Sequence, residues 1–508
     1  MSSVLIDGMT LVCDDVVNVA RRRATAEIAP DVRERVERSR KAVEAFASRN
    51  AAVYGITTGF GHLARVRIAP DELESLQRNL ILSHAVGTGN PLADEIVRAM
   101  ILLRANSLAK GLSGIRFEVI ETLVRFLEAD ICPVVPEKGS LGASGDLAPL
   151  AHLALALLGE GSVRVAGVEV PAREALRRAG MRPLVLHPKE GLALINGTQA
   201  MTGIGALALH DAEVLAATAD AAASLSIEAL RGIPSAFDER VHVEARPHPG
   251  QVACARTLRA LLEGSRLVSA PGELRVQDAY SLRCVPQVHG ATRDALAYVR
   301  NVLEVEINSA SDNPLVFEDG SVVSGGNFHG QPVALAMDFL SMAVSELGSI
   351  SERRIERLLN PTLSELPAFL TRHGGVNSGF MIAHYTAAAL VSENKVLSSP
   401  ASVDSIPVSA SQEDHVSMGT ISARKARQVV ENVARVLAVE LMCACQAADF
   451  RGPENLAPAT RAIYDLVREA VPPLQEDRWL HPDLEAVVRL VAEERIAQVV
   501  AAFSPKPA

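Results

Sequence analysis

Cysteine and positive charge are both scarce in this chain of 508 residues. Its six cysteines are too few and too scattered to form a disulfide framework. Cys443 and Cys445 form a C-x-C without nearby Cys or His partners, so we expect buried thiols there rather than a zinc site. The 50 Lys and Arg residues are outnumbered by 60 Asp and Glu residues, and the net charge of −10 repels nucleic acid and anionic lipid. No metal and no nucleic-acid partner is therefore expected.

Export and membrane insertion are not expected either. The N-terminal stretch "MSSVLIDGMTLVCDDVV" has no basic region followed by an apolar core, so we expect no secretory signal. Two windows, 191–210 and 373–392, carry no charged residue and are each as long as a membrane span. Both contain amides, hydroxyls and glycines, which suit helices buried in a bundle or at a subunit contact better than helices in lipid. We expect a cytoplasmic protein without a membrane partner.

Most of the chain has the spacing of helices. Apolar residues recur at three- and four-residue intervals, and the Ala-rich stretches 204–231 and 376–400 favour long helices that pack closely. Short hairpins are predicted at 162–170 and 313–326, where Gly or Asp-Gly separates β-branched residues. The sequence therefore predicts a mainly α fold, a long-helix bundle with a mixed N-terminal region that carries short β pieces.

Domain borders are poorly marked, because the chain has no long linker rich in Pro, Ser or Gly. The sequence pattern changes near residue 200, from mixed to mainly helical. We predict a mixed N-terminal region over 1–200 and a long-helix bundle with a C-terminal helical region over 201–508. The terminal "AAFSPKPA" has little to bury and is expected to fray.

The stretch "GSLGASGDLAPLAH", residues 139–152, packs glycines and other small residues around Ala143-Ser144-Gly145. A nucleophile elbow requires glycine two positions after the serine, and Asp146 stands there instead. The "SDN" at 311–313 and the S-x-x-K pairs occur in the wrong order for a β-lactamase, and no nucleotide-binding fingerprint is present. Ordinary serine and nucleotide chemistry therefore has no support.

The backbone of this tripeptide offers another chemistry. Since glycine lacks a Cβ, the Gly145 nitrogen could approach the carbonyl carbon of Ala143 and close a ring. Loss of the Ser144 hydroxyl would then leave an exocyclic methylene, a strong electrophile. On the residues alone, a glycine-rich helix entry with Asp146 as a first-turn carboxylate is the simpler interpretation.

The same stretch resembles the signature of the aromatic amino acid ammonia-lyase family, in which Ala-Ser-Gly becomes the prosthetic group 4-methylideneimidazol-5-one (MIO). Eight further stretches resemble the family in order along nearly the whole chain: "VYGITTGFG" (53–61), "NLILSHAVGTG" (79–89), "EGLALINGTQA" (190–200), "QDAYSLRCVPQVHG" (277–290), "SDNPLVF" (311–317), "GGNFHG" (325–330), "NSGFMIA" (377–383) and "SASQEDHVSMG" (409–419). The resemblance implies that Ala143, Ser144 and Gly145 form MIO and that neither a metal nor a nucleotide is required.

The resemblance also implies a role for each matching residue. Tyr54 would be the base that removes the β-proton, Arg283 would clamp the substrate carboxylate with its planar guanidinium, and Phe328 would pack near the substrate ring. Three others would bond the MIO ring or the amine and carboxylate of the substrate: Asn196, Gln277 and Tyr280. Without the family, a packed tyrosine, a surface arginine, a core phenylalanine and buried structural amides would be the simpler interpretations.

Two positions bear on the substrate. Ser83-His84 is similar to the pair in family members that act on histidine, whereas tyrosine and phenylalanine lyases typically have His-Leu and Phe-Leu. Glu413 is similar to the glutamate of the histidine-specific members, where the others usually have glutamine. Imidazole offers an N–H donor and an acceptor nitrogen that could satisfy both His84 and Glu413, whereas a phenyl ring would leave Glu413 buried without a partner. His84 and Glu413 are therefore expected to bind the substrate ring.

The implied activity is the non-oxidative deamination of L-histidine to trans-urocanate and ammonia, the first step of histidine degradation. The resemblance further implies a homotetramer whose active sites are shared between chains. A tyrosine or phenylalanine lyase or an aminomutase of the same family is the alternative, and a non-catalytic helical scaffold is a more distant one. Gln331 departs from the glutamate of many histidine-specific members, but it replaces no assigned catalytic group. No role is assigned to His289, His329 or His415.

Overall fold

The structure, a computed structural model, describes residues 2–48, 55–59, 61–63 and 65–504. Helices dominate these ranges, as the sequence predicts. The α-helices are α1 (Cys13–Ala20), α2 (Val32–Ser48), α3 (Leu73–His84), α4 (Asp94–Ala109), α5 (Phe117–Glu128), α6 (Leu147–Leu157), α7 (Ala172–Arg178), α8 (Glu190–Ile195), α9 (Gln199–Ala229), α10 (Pro249–Leu262), α11 (Tyr280–Arg283), α12 (Val285–Ile307), α13 (Gln331–Leu359), α14 (Pro361–Ser364), α15 (Met381–Leu397), α16 (Gly419–Arg451), α17 (Pro458–Ala470), α18 (His481–Ala492) and α19 (Arg495–Phe503).

The strands are short and form four small sheets. They are β1 (Ser2–Ile6), β2 (Ala24–Ile28), β3 (Thr88–Pro91), β4 (Ile131–Pro133), β5 (Pro136–Lys138), β6 (Ser162–Val165), β7 (Val168–Pro171), β8 (Leu315–Val316) and β9 (Val322–Val323). The antiparallel pairs β6–β7 and β8–β9 confirm the two predicted hairpins. In addition, β1 pairs in parallel with β2 from Ser2 opposite Ala24 to Ile6 opposite Ile28, across the intervening α1.

Two compact units are present, and each is assembled from three stretches of chain. The first comprises 1–210, 300–338 and 400–424, and the second comprises 211–299, 339–399 and 425–508. The division predicted near residue 200 stays a prediction. No linker signals these units in the sequence, because several of their borders fall inside long helices such as α9, α13 and α16.

The long helices are built from apolar and small residues. The predicted Ala-rich helix at 204–231 is confirmed by α9, whose alanines are largely inaccessible to solvent. The thiols of Cys443 and Cys445 are buried in α16, as expected. Burial raises the pKa of Cys443 well above its usual range, so this thiol is inert.

The two uncharged windows differ in burial. Residues 191–209 are all buried, whereas most of 373–392 is at least partly exposed. Among the described residues, one helix is long and apolar enough to cross a membrane by length and composition alone, and it is α13. In its most apolar part 61% of the residues are buried, as in a core helix. The residues of the terminal stretch from 505 onward lie outside the described ranges.

Candidate active site

The small residues at 139–145 form the loop between β5 and α6. Gly139, Gly142 and Gly145 have φ angles of 125°, 80° and 75°, a region of backbone conformation that favours glycine. A Cβ on Gly145 would lie 2.1 Å from the carbonyl oxygen of Gly197. Small residues are needed in this loop because its backbone packs directly against a second turn.

Asp146 fixes the loop to the start of α9. Its fully buried carboxylate accepts hydrogen bonds from the backbone N–H groups of Ala200 and Met201, at 2.9 and 2.8 Å. The hydroxyls of Ser140 and Thr420 also donate to it. Burial raises the pKa of this carboxyl, and the hydrogen bonds oppose that effect. The simpler interpretation of Asp146 as a first-turn carboxylate of its own helix is wrong, because its side chain caps α9 instead.

The turn at Asn196-Gly197 bonds Ser144 of the tripeptide and Asp146, the residue that follows the tripeptide. The side-chain amide of Asn196 donates to the carbonyl oxygen of Ser144 at 3.0 Å. The carbonyl oxygen of Gly197 accepts a 2.7 Å hydrogen bond from the backbone N–H of Asp146. Asn196 is buried, so its amide is held in place at the carbonyl of the central residue of the tripeptide. The Asn196 amide therefore faces the tripeptide, and its role toward the prosthetic group stays a prediction.

The atoms that ring closure would use are free of other bonds. Within the described part of the chain, neither the backbone nitrogen of Gly145 nor the carbonyl oxygen of Ala143 takes part in a hydrogen bond. Ala143 is itself nearly buried, packed with Val416 and Met418. A loop that is buried at Gly142, Ala143 and Gly145, with left-handed glycines, an unbonded amide and a donor on the Ser144 carbonyl, fits the cyclisation that MIO requires.

Glu413 contacts the tripeptide, and His84 lines the same cavity as Ser144. The Ser144 hydroxyl donates to Oε1 of Glu413 at 3.2 Å, and the Ser83 hydroxyl lies 3.0 Å from Nδ1 of His84. Burial lowers the pKa of His84, while the carbonyl of Leu80 and the charge of Glu413 act in the opposite direction. His84 is therefore neutral at pH 7, with one nitrogen able to donate and the other able to accept.

An unusual turn presents Glu413. Ser409, Ala410 and Ser411 have φ angles of 54°, 52° and 63°, three successive non-glycine residues in the left-handed region. The turn is closed by a pair of backbone hydrogen bonds between Val408 and Glu413. Such local strain persists only where surrounding contacts impose it and is common at functional sites.

These side chains line one cavity of about 960 Å³. Polar groups converge on it from Ser144, Asn196, His84 and Glu413, and Phe328 contributes an aromatic wall. Aliphatic residues complete the wall, among them Leu80, Leu147, Leu192 and Ile195. An apolar cavity with a few convergent polar groups is the usual form of a site for a small molecule.

Three predicted residues lie elsewhere. Gln277, Tyr280 and Arg283 belong to the second compact unit, and none of them lines this cavity. Tyr280 and Arg283 form a local cluster, in which the Arg283 guanidinium stacks 4.7 Å from the Tyr280 ring and donates to the carbonyl of Asp278. Tyr280 is 71% exposed, and Arg283 has no salt bridge among the described residues. The cluster therefore presents an unpaired guanidinium and a phenol at the surface of its unit.

The remaining predictions concern loops and neighbouring residues. Tyr54 lies outside the described residues, but Gly59 and Gly61, which follow it, line the cavity. Gln331 lies at the start of α13 and donates to the carbonyl of Ser402, away from the cavity lining. His289, to which no role is assigned, is buried and bonds Asp220.

One residue of this site was missed by the sequence analysis. Arg104 donates to the backbone carbonyl of Asn196 at 2.9 Å and is completely buried in α4. The signal was present, because a charged residue interrupts the apolar run "AMILLRANSLA". What the sequence could not show is that this arginine faces the turn beside Ser144.

Comparison with known proteins agrees with this geometry. The model of the family described as aromatic amino acid lyase matches residues 11–469. A curated relative named histidine ammonia-lyase, from Symbiobacterium thermophilum, is 60% identical over 500 residues and 98% of each chain is covered. Among solved structures, a tyrosine aminomutase from Streptomyces globisporus matches with a TM-score of 0.96 and 42% identity over 99% of both chains. A histidine ammonia-lyase from Trypanosoma cruzi matches with a TM-score of 0.93 and 46% identity, over 99% of this chain and 96% of its own.

Proposed function

Because this chain belongs to the aromatic amino acid lyase family, we propose that it removes ammonia from L-histidine to give trans-urocanate. The observation that carries the proposal is the placement of Glu413 and His84 beside Ser144 in one cavity. A carboxylate and a neutral imidazole form a donor and acceptor pair that matches the two nitrogens of the substrate ring. The curated relatives at 54 to 60% identity that carry the name histidine ammonia-lyase support the same choice.

We propose that Ala143, Ser144 and Gly145 close into MIO. The fit is supported by the left-handed Gly145, by its unbonded amide and by the donor that Asn196 places on the Ser144 carbonyl. MIO supplies an electrophile that turns the substrate amine into a leaving group. Asn196 would stabilise negative charge that develops on the Ser144 carbonyl oxygen during the reaction.

The ring-binding residues set the selectivity. Glu413 would accept the N–H of the imidazole, while His84 bonds the other ring nitrogen. Before ring closure, Glu413 accepts a hydrogen bond from the Ser144 hydroxyl. Ring closure would remove this hydroxyl, so that both carboxylate oxygens of Glu413 become available to the substrate. A phenyl ring could not satisfy either residue, and the resulting unpaired groups would reject it.

Four further residues would complete the chemistry. By family resemblance Tyr54 removes the β-proton, and Arg283 clamps the carboxylate with Gln277 and Tyr280 beside it. The half-buried Arg283, which has no carboxylate partner among the described residues, suits this task. We propose that a homotetramer brings this cluster to the cavity of a neighbouring chain. Cytoplasmic location stays a prediction.

The direct test is incubation of the purified protein with L-histidine, L-tyrosine and L-phenylalanine in parallel, with the product followed by its ultraviolet spectrum. We expect urocanate from histidine and little product from the other two. Formation of coumarate without urocanate would overturn the proposal in favour of a tyrosine lyase. A β-amino acid product instead of an olefin would indicate an aminomutase, the activity named for one structural neighbour.

The prosthetic group has a separate test. The peptide that contains Ser144 should be lighter than the encoded peptide by two water molecules when untreated protein is digested and its mass measured. An unmodified mass would favour the non-catalytic scaffold.

A further inference from the structure

Arg104 is a charged side chain in an unusual environment. Its side chain is fully buried in the apolar helix α4, and no salt bridge to it occurs among the described residues. The charge of Asp312 acts on Arg104, but that carboxylate pairs with Lys189 at 2.5 Å. Burial lowers the pKa of Arg104 to about 10. An ionised group in such a place is costly and needs compensation from the groups around it.

Neutral oxygen atoms supply this compensation. One terminal nitrogen of Arg104 donates to the carbonyl oxygen of Asn196 at 2.9 Å, and the other donates to the Ser107 hydroxyl at 3.1 Å. Ser107 in turn donates to the carbonyl of Ser309 at 3.0 Å. A Cβ on Gly197 would lie 2.8 Å from the first of these nitrogens. The guanidinium therefore lies directly behind the Asn196-Gly197 turn.

The opposite side of the same turn faces the tripeptide. Asn196 donates its amide to Ser144, and Gly197 accepts from the N–H of Asp146. A displacement of the Asn196 carbonyl would shift the Asn196-Gly197 turn, whose two residues make these contacts. Arg104 thus reaches the tripeptide through one residue, with a charge-assisted hydrogen bond that is stronger than a neutral one.

We propose that Arg104 is a positioning residue for the prosthetic group, holding the Asn196-Gly197 turn so that Asn196 donates to the Ser144 carbonyl during ring formation and turnover. This inference rests on the proposed function. Arg104 touches neither the substrate nor the tripeptide, so it acts through Asn196.

The same helix contains a matched control. Arg98 is also buried in α4 and donates to the backbone carbonyls of Val19 and Leu127, but it pairs with Asp130 and bonds no cavity residue within the described ranges. Substitution of Arg98 reports the cost of disturbing a buried arginine in this helix. The difference between Arg104 and Arg98 variants isolates the contribution to the site.

The experiment compares R104M, R104K and R98M in the full chain. The fraction of the tripeptide that has lost two waters is followed by peptide mass after synthesis, together with kcat, KM and the thermal midpoint. We expect R104M to slow ring formation and to lower kcat about tenfold, with KM changed less than about twofold, because one charge-assisted hydrogen bond is lost. R104K should recover part of the rate of ring formation and part of kcat. R98M should lower only the thermal midpoint.

A double-mutant cycle with N196A tests the route. If Arg104 acts through Asn196, R104M adds little to the loss already caused by N196A. Should R104M fail to fold, S107A carries the test, since it removes one partner of the guanidinium without removing the charge, and a smaller slowing of ring formation is expected.

The results separate this inference from the proposed function. Wild-type protein that forms the ring and makes urocanate, with R104M indistinguishable from R98M or additive with N196A, overturns the positioning role alone. Wild-type protein without the ring overturns both.

Discussion

At Gly145, both the backbone angle and a close contact require glycine. It has a positive φ, and a Cβ there would meet Gly197 at 2.1 Å. Gly180 also has a positive φ, at 65°, yet no atom lies within 4 Å of its Cβ position. Comparison of these two positions therefore distinguishes the cost of backbone strain from the cost of a steric conflict.

We predict that G145A loses ring formation and lowers the thermal midpoint strongly, because the methyl group forces the loop away from Gly197. G180A should cost only the strain of the left-handed region, about 1–2 kcal/mol, and keep the ring. Peptide mass and thermal denaturation measure both effects. Equal behaviour of the two variants would show that packing against Gly197 is not the cause.

Under the proposed function, Glu413 is the residue on which substrate choice would depend most. We predict that E413Q lowers kcat/KM for histidine by about 10- to 100-fold, since a hydrogen bond to a charged group is worth about 1.5–3 kcal/mol. Glutamine keeps the shape but removes the charge, so the protein should fold normally. Steady-state kinetics with histidine and tyrosine check this, with E431Q as a surface control on α16. Unchanged histidine kinetics in E413Q would contradict the assigned role.

At the scale of elements, a buried polar cluster joins three helices in the second compact unit. Asp220 on α9 accepts from Nδ1 of His289 on α12 at 2.7 Å, and Cys254 on α10 and Arg293 also bond it. The other ring nitrogen of His289 is buried and has no hydrogen-bond partner in the part of the chain that the structure describes. This nitrogen would be an unbonded charged donor if the ring were protonated, so His289 is neutral. The positive charge of Arg293 already balances Asp220.

The state of His289 gives a pH dependence. Burial lowers the pKa of His289, and Asp220 opposes that effect. Below the ordinary value of 6.5, the unfolded chain binds a proton that the folded chain excludes, so this contribution to stability is complete above pH 6.5 and is lost as pH falls through the folded pKa. We predict a fall in thermal midpoint between pH 7.5 and 5.5 that is smaller in H289Q. The exposed H373Q should match wild type, and an identical slope in H289Q would refute the assignment.

At the scale of the whole molecule, the proposed site is divided. Its cavity residues belong to the first compact unit, whereas Tyr280 and Arg283 belong to the second and do not line the cavity. Apolar side chains also remain exposed along α15, including Ile382 at 60% and Val396 at 71%. Exposed apolar surface of this kind is typical of contacts between subunits.

Subunit complementation tests this proposal. We predict that the Y54F and R283M variants are each nearly inactive, but that denaturation and refolding of an equal mixture restores about a quarter of wild-type activity, if each site takes these residues from different chains at random. Refolding of each variant alone provides the control. No recovery in mixed oligomers would show that both residues come from one chain.

The sequence was sufficient for the features that are local. Helical spacing predicted α9, and Gly and Asp-Gly turns predicted the hairpins β6–β7 and β8–β9, because these signals act over a few residues. The parallel pair β1–β2 was not predicted, since its partners are separated by a helix and each strand is only five residues long. The same limit applies to the compact units, whose borders fall within continuous helices.

By itself the sequence determined the chemistry available to this protein, because residue identity and order carry that information. It identified the tripeptide, the pair His84 and Glu413, and the family to which the chain belongs. Only the tertiary structure decided which groups meet. It placed the Asp146 carboxylate on α9, the Asn196 amide on Ser144 and the Arg104 guanidinium behind Asn196. Each of these contacts joins residues more than fifty positions apart, and the packing of helices, rather than any local pattern, brings such residues within hydrogen-bonding distance.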